Sequence, residues 1–187
     1  MKLKKIIEDF IKEITKGNIE IYNEFSVQFE LAIFLRELVS SNYKVQLERN
    51  IEYFQLEKNQ FLKKEMDIVV FDQELSEKYC IEIKYPTNGQ YPEQMFKMSK
   101  DIAFIEQLVE AGFNNAFLIV LAGDRPFYMK KGGAEIYEMF RVRREIKGEI
   151  IKPTGKRNKN INIKNEYKIN WRPIYKDLKY FFIQIIE

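Results

Sequence analysis

The sequence has no histidine and a single cysteine, Cys80, in 187 residues. Without histidine there can be no His-based nuclease, no Ser–His or Cys–His hydrolase and no His-ligated zinc. One cysteine excludes an internal disulfide and suits a reducing cytoplasm. No apolar run approaches the ~18 residues of a membrane span. The opening "MKLKKIIEDFIKEI" is basic, but charges interrupt its apolar residues, so it lacks the continuous core of a secretory signal. A cytoplasmic protein is expected. No internal repeat or Gly/Ser linker divides the chain, and 45% hydrophobic with 32% charged residues suits one domain over 1–187 with a sizeable core. Any chemistry must run on carboxylates and lysine, with or without a hard metal ion.

Leu3, Ile6, Ile7, Phe10, Ile11 and Ile14 recur at helical spacing, which predicts a helix over 3–16 that stops at Gly17. A second helix is expected from about Asn23, a good N-cap, to about Ser40. Three strand-like runs follow, Tyr43 to Phe54, Glu65 to Asp72 and the segment ending "YCIEIKYP"; their polar connectors suggest an antiparallel meander. Pro92 to Gly112 reads as a helix opened by proline and closed by glycine. "NAFLIVLAG", Asn115 to Gly123, reads as a strand buried on both faces. Further strands are expected around "NEYKINWRPI" and "KYFFIQII", with Trp171 and most Phe and Tyr in the core. The fold class is α/β, helices on a central mixed sheet. The net charge of +3 gathers late, in the Lys- and Arg-rich stretch Arg141 to Lys164. It reads as a charged β-hairpin, with DNA contact as the alternative.

In "CIEIKYP", Tyr79, Ile81, Ile83 and Tyr85 share one strand face, while Cys80, Glu82 and Lys84 share the other. Charges on a buried strand are costly unless paired or coordinating. In "EMDIVVFD", Asp67 shares a face with Glu65, Val69 and Phe71, opposite Met66, Ile68 and Val70. If the two strands pair across "QELSEK", Asp67 lies beside Glu82 and Lys84. Two carboxylates that close need a cation between them. Oxygen-only ligands suit a hard ion such as Mg²⁺, and an adjacent lysine can serve a water or a phosphate.

Asp67, fourteen residues, then Glu82-Ile83-Lys84 resembles the PD-(D/E)XK nuclease superfamily, the restriction-endonuclease-like fold. The inferred order of helix, three strands, helix and strand over about 23–123 is similar to that superfamily's αβββαβ core. The N-terminal helix 3–16 and a basic C-terminal extension, 124–187, lie outside it. Met66 stands where the motif has proline. The resemblance implies that Asp67, Glu82 and the Ile83 carbonyl bind Mg²⁺, with Mn²⁺ able to substitute, and that Lys84 serves the hydrolytic water. It implies DNA as substrate, cut to a 5′-phosphate and a 3′-hydroxyl, and a homodimer if both strands are cut.

Many members also carry a glutamate on the first core helix. At ~100° per residue, Val27, Leu31, Leu35, Leu38 and Val39 form the core stripe of "NEFSVQFELAIFLREL". Glu24 and Gln28 fall inside that stripe, whereas Glu30 falls opposite with Ser26 and Glu37. Glu24 is therefore the expected site glutamate. Gln28, one turn along, joins Gln94, Lys97 and Lys100 as the expected nucleic-acid-binding residues, with the loop "YPTNGQYPEQ" beside them. Blander readings stand beside these: a cross-strand Glu82–Lys84 ion pair, a first-turn acid favoured by the helix dipole, and lysines on a solvated face. Two other functions stay open, a non-catalytic nucleic-acid- or protein-binding domain and a ribonuclease.

Overall fold

A computed structural model describes residues 2–129, 133, 135–153 and 159–186. Helix α1 (Leu3–Lys16) buries Leu3, Ile7, Phe10, Ile11 and Ile14, and Gly17 ends it in the left-handed region at φ 79°. Helix α2 (Glu24–Leu38) begins at a reciprocal cap. The Asn23 side chain accepts from the Ser26 N–H at 2.8 Å, and the Ser26 hydroxyl accepts from the Asn23 N–H at 3.1 Å. That cap fixes the helix start and so puts Glu24 in the first turn. It also explains why Ser26, expected on the polar side, is buried. Leu38, expected in the core stripe, is exposed instead, because Val39 has already left the helix for extended backbone.

Strands β1 (Tyr43–Asn50), β2 (Glu65–Asp72) and β3 (Lys78–Lys84) form the expected antiparallel meander. The first was expected to run to Phe54 but stops at Asn50. The Asn50 side chain accepts from the Glu52 N–H, turning Ile51–Phe54 into one 3₁₀ turn that buries Ile51 and Phe54. Helix α3 (Tyr91–Glu110) has Pro92 in its first turn. It leads into β4 (Asn115–Ala122), parallel to β3 and antiparallel to β8 (Leu178–Ile186). With a strand on each side, β4 can be apolar along its whole length. Strands β5 (Glu145–Ile151) and β6 (Asn160–Lys168) form a separate antiparallel pair, as read for the basic stretch, whose residues 154–158 lie outside those described. Strand β7 (Arg172–Tyr175) completes a six-stranded mixed sheet, in the order β1-β2-β3-β4-β8-β7. The single run expected around "NEYKINWRPI" is thus split. Between β6 and β7, Ile169 donates to the Arg144 carbonyl and the half-buried Trp171 indole donates to the Phe140 carbonyl.

The sheet has a core on each face. Ile68, Val70, Ile81, Ile83, Ile119 and Leu121 pack towards α1 and α2. Val69, Phe71, Cys80, Leu118 and Val120 pack towards α3 and the β5–β6 pair. Buried Glu106 on α3 pins that pair down: it accepts from the Lys164 and Asn165 N–H groups, each at 2.9 Å, from Asn165 Nδ2 at 3.1 Å and from the Tyr167 hydroxyl at 2.8 Å. Met66 departs from the expected alternation and joins the α3-side core. The strands are irregular there. Ile68–Ile81 is the last regular β2–β3 pair towards the site, and Glu48, on β1 across from this point, has a left-handed φ of 48°.

Candidate active site

Five elements converge where the β2–β3 ladder stops: α2 with Glu24, the segment before β2 with Lys63, β2 with Asp67, β3 with Glu82 and Lys84, and α3 with Asp101. The expected neighbours meet. Asp67 Oδ2 accepts from the Ile83 N–H at 2.7 Å, while the Asp67 N–H donates to Glu82 Oε1 at 3.3 Å. Freed from the sheet ladder, these backbone groups bond carboxylates and so hold both acids on one side of the sheet.

Lys84 reaches back to α2. Its Nζ donates to Glu24 Oε1 at 3.1 Å and to the Ile83 carbonyl at 2.7 Å, and it lies 3.9 Å from Asp67 Oδ2. Glu24 closes the arrangement by accepting from the Tyr85 N–H at 3.1 Å. The wheel reading therefore selects the acid that touches the site; Glu30 instead lines a depression between α1 and α2 with Glu13, Ile33 and Phe34.

Two members escaped the sequence reading. Asp101, buried on α3, has Oδ1 3.1 Å from Lys63 Nζ and Oδ2 3.5 Å from Lys84 Nζ; Oδ2 accepts no hydrogen bond. A signal existed, because Asp101 sits three residues after Met98 and four before Ile105, both fully buried, on the core stripe of the helix. Lys63 bonds Glu82 Oε2 and lies 3.7 Å from Asp67 Oδ1. It sits in an irregular segment beside exposed Lys64, and no periodicity distinguishes the two lysines.

The charges shift one another strongly. Burial, with the negative charge of Asp67, pushes the Glu82 carboxyl up to about 8, although Lys63 pulls the other way. Burial likewise raises Asp101, against the pull of Lys84 and Lys63. Burial opposes the Lys63 ammonium, but Glu82, Asp101 and Asp67 outweigh it and raise its pKa. The same balance, with Asp101, Asp67 and Glu24 as the anions, raises Lys84. Cys80 is buried behind Glu82, its thiol held high by that burial, which makes it inert rather than nucleophilic.

The expected nucleic-acid residues divide. Gln28 is buried, its Nε2 donating to Glu48 Oε1 and to the Asp67 carbonyl, each at 2.6 Å. It braces the irregular backbone at Asp67 rather than facing a nucleotide. Gln94 is buried too and donates to Asn88 in the loop after β3. Both placements have the same cause: an amide on a core-facing helix side finds protein partners. Lys97 and Lys100 instead line a groove of about 490 Å³ between α3 and the β5–β6 pair, facing Lys152 and Lys159 over Phe61 and Phe96.

Four carboxyl groups, from Glu24, Asp67, Glu82 and Asp101, thus surround two ammoniums, so acidic groups outnumber cations by two. Among the described residues no group of three or more His, Cys, Asp and Glu side chains is already disposed to hold a metal ion. The place between Glu82, Asp67 and Asp101 is taken by the Lys63 ammonium. The donor chemistry nonetheless fits a hard divalent cation: all-oxygen ligands, more acidic groups than cations and a buried carboxylate oxygen without a hydrogen bond. No family model matches the chain, and no curated protein or solved structure is significantly similar to it. Among the described residues no helix is long and apolar enough to cross a membrane.

Proposed function

We propose that the protein is a Mg²⁺-dependent nuclease of the restriction-endonuclease-like fold that hydrolyses phosphodiester bonds of DNA. The observation that carries this reading is the meeting of Asp67, Glu82 and Lys84 at the point where two strands stop pairing, with Glu24 reaching Lys84 from α2. The order α2, β1, β2, β3, α3, β4 supports the same fold.

Asp67, Glu82 and the Ile83 carbonyl are the groups that would hold the metal. A bound Mg²⁺ supplies Lewis-acid stabilisation of the phosphate and a more acidic water. Lys84 contributes a positive charge. The acids around it keep it protonated, so in this arrangement it donates to phosphate or water oxygen and does not abstract a proton. Glu24 orients that ammonium. The lysines of the α3 groove suit the backbone of the same polyanion. Two such sites on a homodimer would cut both strands of a duplex.

The test is cleavage of plasmid DNA and of RNA by the purified protein and its Asp67→Asn variant, with Mg²⁺, with Mn²⁺ and with a chelator. DNA cleavage by the wild type alone, dependent on the ion, is expected. Cleavage of RNA only would change the substrate to RNA. No cleavage of either, with the chain folded, would leave a binding domain.

A further inference from the structure

We propose that Lys63 is a tethered counter-cation, an ammonium that holds the site's acids together until a divalent ion displaces it. The inference rests on the metal-dependent reading above and asks how this chain controls its own metal site. Three acids from three elements meet Lys63 Nζ: Glu82 in direct contact, Asp101 at 3.1 Å and Asp67 at 3.7 Å. Carboxylates this close repel one another unless a proton or a cation lies among them, and without a metal Lys63 is the cation that meets all three. Lys84 shares two of these acids, Asp101 at 3.5 Å and Asp67 at 3.9 Å, but its Nζ donates to Glu24 and the Ile83 carbonyl, and the contact with Glu82 belongs to Lys63.

A divalent ion entering among these three acids is repelled by the ammonium that meets all of them. Metal binding therefore favours displacement of Lys63, and its apparent affinity falls to the extent that the lysine holds the site. The expulsion is sterically feasible. Lys63 sits in the non-helical segment that leads into β2, and its side chain keeps 20% of its surface in solvent. Its neighbours Phe61 and Leu62 line the groove that also holds Lys97, Lys100, Lys152 and Lys159. A phosphodiester in that groove offers the expelled ammonium a new anion, so substrate and metal should each favour the other's binding.

Calorimetric titration of Mn²⁺ into metal-free wild-type, Lys63→Met and Lys63→Gln proteins tests this. Removing the ammonium should tighten Mn²⁺ binding by roughly 10-fold or more. If the wild type binds Mn²⁺ and both variants bind no tighter, the counter-cation proposal fails and the nuclease reading stands. If none of the three binds the ion, both fail. A second measurement needs no variant: amine-reactive labelling of the wild type read by mass spectrometry. Lys63 should be protected without metal and become reactive on adding Mn²⁺. Labelling of Lys63 that the ion leaves unchanged overturns the proposal, even if the variants do not fold.

Discussion

The Ile83 backbone N–H donates to Asp67 Oδ2 at 2.7 Å, a strand amide bonded to a side chain where a neighbouring carbonyl would ordinarily receive it. The amide direction is fixed by β3, so it aims the Asp67 carboxylate at the Glu82 side chain and at Lys84. A carboxylate positioned by backbone needs no reorganisation when a cation or phosphate arrives. The two residues thereby tie the fold to the chemistry proposed for it.

Lys84→Ala removes the ammonium but leaves Asp67 and Glu82. Cleavage should fall by ~10²–10⁴-fold, the usual cost of one proton-transfer or charge-stabilising group. Mn²⁺ binding should remain. Parallel assays of plasmid nicking and calorimetric metal binding check this, and unchanged cleavage would reject Lys84 as the catalytic lysine.

Glu24→Gln keeps the side-chain shape and a hydrogen-bond acceptor but loses the charge facing Lys84. A fall of about 10-fold is expected, smaller than for Lys84, because the carboxylate acts through another residue and is 44% exposed. Glu30→Gln on the same helix should leave the rate unchanged. A larger effect at Glu30 than at Glu24 would reverse the assignment.

The metal-free protein should lose stability as pH rises. In the folded chain the Glu82 carboxyl is raised from 4.5 to about 8, chiefly by burial. The folded state therefore keeps a proton that the unfolded chain has released. The stabilisation is complete below pH 4.5 and is lost as pH climbs to about 8, at no more than ~1.4 kcal/mol per pH unit for one proton. Thermal melts across that range should show the decline, and Glu82→Gln should reduce it, leaving the share that the raised Asp101 carboxyl carries.

Glu106→Ala should be among the more destabilising single changes in the chain. It strips an acceptor from four donors on β6, at a cost of about 2–4 kcal/mol for groups left without partners. Denaturant midpoints measure the loss, and Glu106→Gln should recover part of it.

Much of this arrangement was legible in the sequence. Period-two alternation placed Cys80, Glu82 and Lys84 on one face, and the phase of α2 separated Glu24 from Glu30. Asp101 was readable by the same rule, as an acid on an apolar helix stripe, but the sequence reading gave that helix to surface lysines. Lys63 was not readable, because its place depends on how an irregular segment crosses the end of α3. Met66 also resisted prediction: alternation presumes a continuous ladder, and this one breaks at Asp67. Gln28 and Gln94 show the converse. Their polarity suggested ligand contact, yet burial directs their amides to the protein's own backbone and loop.

The outer strands of the sheet set terms for any assembly of two copies. β1 is interrupted by the left-handed Glu48, and its Val45 carbonyl accepts from Arg36 of α2 at 3.1 Å. β7 is only four residues long, carries Pro173 and has an irregular register beside it. Short length, proline and a local kink each discourage a foreign strand from adding to the sheet. A continuous sheet running from one subunit into the next is therefore disfavoured at both ends. Two copies that cut opposite strands are thereby steered away from these edges, to meet through helices, loops or the separate β5–β6 pair.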